Sequence, residues 1–250
     1  MSLAMSLFML VAYTLLGYVV SFKLQFNYFK KIQFFIFNIV MSPYIFLNIY
    51  NYLTVDFFFE NYFVIVGQLL FMFFAFISFR VIKSKRSNVD FNVLAFQNAG
   101  FMALPIIVSL PDSSNLKVLL FLFMVGFNLS IFSIGAMVFS EKGSIKGILN
   151  LPFFASVSPI ILVFLGLGGH GVELPLLLEN VLGLILIPGA LFFFGGVIRH
   201  SMHGVKLTIT KDIVKMIFLK YVAFPVLTFI VVYFAKVDRL VSTLFMLQSL

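Results

Sequence analysis

The sequence predicts an all-α polytopic membrane protein, and three observations predict it. The chain of 250 residues is 62% hydrophobic and only 10% charged, with a mean hydropathy of +1.13. A soluble domain carries roughly 25% charged residues, so there is too little polar surface here to cover a water-facing globule. The apolar residues fall into runs of about the 20 residues that a membrane-spanning helix needs. The charges sit between those runs. There is no cysteine, hence neither a disulfide framework nor a thiolate metal site.

The runs are taken in order as segments at about 3–22, 32–53, 61–82, 91–110, 116–139, 150–168, 174–198, 213–235 and 239–250. The first is not a signal peptide, because no Lys or Arg precedes Lys23 and a signal peptide has its positive charge before the apolar core. With the N-terminus outside, the cytoplasmic side collects Lys23, Lys30, Lys31, Arg80, Lys83, Lys85, Arg86, Lys142, Lys146, Arg199, Lys206, Lys211 and Lys215. Only Lys117, Lys236 and Arg239 fall in outside loops, and Lys220 lies within a segment. Most acids, Glu179 among them, are assigned to the outside. This alternation follows the positive-inside rule and accounts for the +8 net charge without nucleic acid. It predicts a multi-pass protein of the plasma (inner) membrane, with the lipid bilayer as its first partner. The last segment, Arg239 to Leu250, would make about 18 Å of helix at 1.5 Å per residue, against a hydrocarbon core of about 30 Å. The sequence is therefore read as truncated.

The fourth segment breaks the pattern of a plain span. Gln97, Asn98, Gly100 and Pro105 lie within nine positions. Gly and Pro in mid-membrane release backbone groups that lipid cannot satisfy, and such a break survives only inside protein or against a wet cavity. The halves of the chain echo each other. Met41-Ser42-Pro43 is matched by Leu186-Ile187-Pro188, an offset of 145, and Val89-Asp90 by Val237-Asp238, an offset of 148. Residues 1–140 then form a first five-helix repeat, and 150–250 a second, inverted and incomplete one. That is the plan of many secondary transporters, with broken fourth and ninth helices at a midplane site. Five plus five helices are expected and about nine are present.

Gln97-Asn98-Ala99-Gly100-Phe101-Met102-Ala103-Leu104-Pro105 resembles the Asn-x-Gly-Phe-x-x-x-Pro signature of the auxin efflux carrier family. Ser42-Pro43-Tyr44-Ile45-Phe46, Asn150-Leu151-Pro152 and Lys220-Tyr221-Val222-Ala223-Phe224-Pro225 are similar to that family's second, sixth and eighth helices. The resemblance implies ten helices in two inverted repeats, crossing at the binding site. It also implies transport of small organic anions such as malate or auxin-like carboxylates.

Site residues follow from this reading. The amides of Gln97 and Asn98 offer donors and acceptors to a carboxylate; the alternative is an interhelical hydrogen bond. Gly100 permits close approach of backbone or substrate, and half-helix N-termini at the break favour an anion. Gln248 and Ser249 are the second-repeat counterparts. Lys220, about 12 Å along its helix from Asp212, either draws an anion inward or snorkels to the headgroups. Pro43 and Pro188 are expected to kink their helices near one depth, opening a groove or serving packing. Asn128 and Ser130 read as interhelical contacts, and Gly195-Gly196 as a close helix approach. His200 and His203, beside Arg199, read as interfacial.

No metal-ligand spacing, phosphate loop or catalytic constellation is visible in the sequence, so an enzyme, a resident cofactor and direct ATP drive are not expected. The expected function is a secondary carrier working by alternating access. Its coupling ion, proton or sodium, stays open, and a homodimer is compatible with it. The alternatives are a bile-acid-type sodium symporter and a non-transporting membrane fragment.

Overall fold

The computed structural model describes residues 3–82, 103–108, 113–130, 151–168, 173–202, 211–234, 236 and 238–249. Among these residues the chain is helical and no strand occurs, as a chain with every backbone group to satisfy inside lipid requires. Helix α1 covers Leu3–Val20. Helix α2 runs through Phe26–Tyr52 and contains a π-helical stretch at Phe35–Met41. After a two-residue link come α3, Val55–Asn61, and α4, Phe63–Ile82. The described remainder is α5 (Ala103–Val108), α6 (Ser113–Ser130), α7 (Leu151–Phe164) and α8 (Glu173–Met202). Then α9 (Lys211–Phe218) continues through a second π-helical stretch, Leu219–Ala223, into α10 (Phe224–Phe234). Helix α11 is Arg239–Ser249.

Among the described residues three stretches are long and apolar enough to cross a membrane: Phe26–Tyr52, Val55–Ile77 and Leu176–His200. Shorter apolar helices lie at Leu7–Val20, Ser114–Ser130, Leu151–Phe164 and Leu219–Phe234. The outer faces are apolar too: Phe8, Leu15, Phe73, Leu184 and Phe234 all stand exposed. A surface this greasy suits lipid and is rare on a soluble monomer.

Local chemistry fixes the helix ends. The N–H of Phe57 donates to Thr54 Oγ1 at 3.1 Å, capping α3, and Asp56 in its first turn complements the helix dipole. Helix α7 stops at Gly166, whose φ of 74° is left-handed. The Leu167 N–H there closes back on the Leu162 carbonyl at 2.9 Å, the bond of a Schellman ending. Each π-helical stretch ends two residues before a proline, Pro43 or Pro225. A proline removes an N–H and crowds the preceding turn. A wider turn relieves this, and the Ser42 hydroxyl donates to the Phe37 carbonyl at 3.0 Å. Pro188 sits inside a helix that stays α-helical around it. The two prolines that the sequence pairs therefore have different local geometry.

Helix α6 is the centre. Leu116, Val118 through Phe123, Val125 and Ser130 are all buried, and a helix apolar on every side belongs in a core. Helices α2, α4, α5, α7 and α11 pack around it. At the periphery α1 lies along α8. A Cβ on Gly17 would run into the Phe192 carbonyl, and one on Gly195 into the Thr14 carbonyl. The backbones touch directly, as small residues allow in membranes; Gly196 likewise makes room for the Phe29 ring.

Candidate functional site

Two polar regions lie against α6. The first is at the meeting of the α2 C-terminal end with the N-terminal ends of α6 and α8. Lys117 Nζ and Glu179 Oε1 form an ion pair at 2.7 Å, with side-chain exposures of 11% and 3%. Asn51 Nδ2 donates to Glu179 Oε2 at 3.4 Å. The Lys117 ammonium lies 5.3 Å from the centroid of the Tyr52 ring, within cation–π range, and the Tyr52 phenol sits beside Ser114 and Glu179. Deeper in α2, Tyr44 packs on Gly183, one turn beyond Glu179, and meets Phe121 edge-on at 6.0 Å. Asn48 Nδ2 donates to the Tyr44 carbonyl at 2.9 Å. Tyr44, Asn48 and Asn51 form one face of α2, because residues four and then three apart stack along a helix.

The second region lies farther along α6. Gln68 of α4 is fully buried, and neither its amide nitrogen nor its amide oxygen has a hydrogen-bond partner among the described residues. Gly126 makes this approach possible: a Cβ there would lie 2.8 Å from the Ile65 carbonyl oxygen and 3.1 Å from Gln68 Cβ. The Gly126 carbonyl accepts from Ser130 Oγ at 2.7 Å. Next door, the Phe245 ring of α11 covers Gly67 and meets Phe123 at 6.3 Å. Val241, Leu244 and Gln248 are buried along one stripe of α11.

The residues singled out in the sequence fare unequally. Gln97, Asn98 and Gly100 lie outside the described residues, as does the expected crossing of broken helices. Pro105 is on α5, which packs on α6 and α1 through the buried Ala103, Leu104 and Ile107. Gln248 is buried on α11, and Ser249 is its last residue. Both α5 and α11 contact α6, so Pro105 and Gln248 are brought to one helix. Lys220 sits half-buried on the π-helical stretch before Phe224, whose ring lies 5.1 Å from Phe71 of α4. Pro43 lines an apolar groove of about 390 Å³ between α2 and α7, with Phe46, Leu151 and Phe154. Pro188 precedes Gly189, which admits the Ile36 side chain of the first π-helical stretch.

The sequence leaves unmarked two buried polar features of this interior, the Lys117–Glu179 pair and Gln68. Glu179 and Lys117 were assigned to outside loops; both are on helices and paired inside the bundle. Gln68 went unremarked in the third segment. The signal was present, since an amide in mid-span and an acid several residues into an apolar run are both costly in lipid. No protein-family model matches the chain, and no curated protein and no solved structure matches it.

Proposed function

We propose that the chain is a multi-pass membrane carrier for small organic anions, of the auxin efflux carrier type, with its N-terminus outside the plasma membrane. One observation carries the reading: the fully buried Gln68 carboxamide, with both polar atoms unpaired among the described residues, in the middle of an apolar span. Leaving such a group unpaired costs about 1–3 kcal/mol, which a transient ligand offering both a carboxylate and a hydroxyl would recover in the loaded state. Its surroundings support the reading. The helix opposite Gln68 also receives α5, which carries Pro105 of the broken-helix motif, and α11, which carries Gln248. The Lys117–Glu179 pair is neutral as a unit, so the attraction for an anion comes from amide donors, from helix ends at the break and from Lys220.

The test is flux in proteoliposomes loaded with malate or an indole carboxylate. Gln68→Leu should insert and fold but lose most of the flux. Normal flux in that variant would remove Gln68 from the site, and an absence of flux for every carboxylate tried would remove the substrate class. Repeating the assay with and without a sodium gradient separates this reading from a bile-acid-type sodium symporter.

A further inference from the structure

A pocket of about 650 Å³ opens at the corner where α1 turns into α2, closed on one side by the last turns of α8. Its polar lining is Ser21, Gln25, Arg199 and His200, and its aromatic lining is Phe22 and Phe26. The transport reading uses none of them.

Among the described residues the charge in this corner has one sign. Residues 1–55 contain no acid, and neither do residues 180–211, the two segments that supply the described lining of the pocket. Arg199 is held over the Phe22 ring, with Cζ 4.6 Å from its centroid, so the guanidinium is positioned rather than free. Lys30 stands over the outer rim, 5.4 Å from the centroid of Phe26. His200 is clamped between Phe26 and Phe29, at centroid distances of 5.1 and 5.5 Å. Its Nε2 is buried with no hydrogen-bond partner among the described residues. Helix α2 begins here after Gln25, whose side chain makes no capping bond, so the positive end of its dipole faces this corner. The α8 C-terminus carries the opposite partial charge, and the full charge of Arg199 in that last turn outweighs it.

We propose that this pocket binds the phosphate-bearing headgroup of an anionic membrane lipid. A guanidinium presents a planar fork of donors that fits phosphate oxygens two at a time. The volume exceeds what a bare phosphate fills and leaves room for a glycerol ester. The pocket rim is apolar: Phe22 is 61% and Phe26 44% exposed, and Val19 continues that face up α1. A charged cup with a greasy wall rising from it fits a molecule that has both a phosphate and acyl chains. Basic pockets between helices at the cytoplasmic surface bind such headgroups in the same way. The proposal rests on the membrane placement and not on transport, so a chain that moves no carboxylate leaves it standing.

The experiment is a thermal-unfolding titration of the full chain in neutral detergent. The additives are phosphatidylglycerol, phosphatidylcholine or millimolar inorganic phosphate. Phosphatidylglycerol should raise the midpoint by several degrees and phosphatidylcholine should not. Arg199→Ala should weaken the apparent phosphatidylglycerol affinity roughly tenfold, the loss expected of one charge-assisted contact; Arg199→Lys should retain part of it. Because Arg199 also packs on Phe22, His200→Phe and Gln25→Ala are run alongside. His200→Phe keeps the ring packing and should still reduce the response. Equal shifts from the two lipids, or undiminished phosphatidylglycerol shifts in all these variants, overturn the proposal. An inorganic phosphate shift as large as that of phosphatidylglycerol overturns the lipid assignment in favour of a free-anion site.

Discussion

The two polar regions against α6 are built from similar material and come to opposite ends. At the N-terminal end of the helix, Lys117, Glu179, Asn51 and Tyr52 close on one another, and the charge of each ion faces its opposite. Farther along, Gln68 is just as deeply buried and closes on nothing among the described residues. That network leaves the Oδ1 atoms of Asn48 and Asn51 without a partner among the described residues, yet its ion pair and amide bond tie α2, α6 and α8 in one arrangement. An unsatisfied amide gives the bundle nothing and costs it stability, so its retention needs a different explanation. The contrast separates a joint from a candidate site.

The strongest way to break the contrast is to remove one ion. Lys117→Met leaves Glu179 without its counter-ion in a protein interior, and should destabilise the chain by about 3–5 kcal/mol, read from denaturant unfolding in detergent. The double variant Lys117→Met/Glu179→Met should recover most of that loss, because two apolar side chains replace a pair whose desolvation offsets much of its attraction. If the double variant is as unstable as the single one, the pair is more than a structural joint. Gln68→Leu should go the other way, holding stability or raising it by about 1–2 kcal/mol while flux falls; a clear loss of stability would mean the amide is paired after all. The smallest effect is expected at Thr54→Ala, which removes the α3 cap just beyond the end of α2. It should cost about 0.5–1 kcal/mol and leave flux unchanged, and a flux defect there would show that the assay reports stability rather than site chemistry.

Much of the helical layout was legible in the sequence because lipid imposes it. Apolar runs such as Phe63–Ile77 and Leu176–Ile198 could hardly be anything but helix, and the glycines at 195 and 196 announced the close approach that the structure contains. The pairing of Lys117 with Glu179 was not legible. Each lies near the end of its segment, where a charge reads as a loop residue. Only the packing of α2, α6 and α8 shows that both ends are covered. The π-helical stretches before Pro43 and Pro225 were likewise hidden, since a proline signals a disturbance but not its form. For the candidate site, the sequence pointed to Gln97, Asn98 and Gly100, which lie outside the described residues. It also pointed to Gln248, which is buried on α11. It passed over Gln68 because a single amide among Val, Leu and Phe has no motif around it.

The contact of α1 with α8 through Gly17 and Gly195 has a mechanical consequence. Helices separated by long side chains can slide or roll while those side chains change rotamer. Here backbone meets backbone at two points three residues apart along α1, Thr14 with Gly195 and Gly17 with Phe192, and the Phe29 ring of α2 seats on Gly196 beside them. No rotamer change can take up a displacement there. Helix α8 therefore cannot tilt without carrying α1 and the start of α2, and the three behave as one strut.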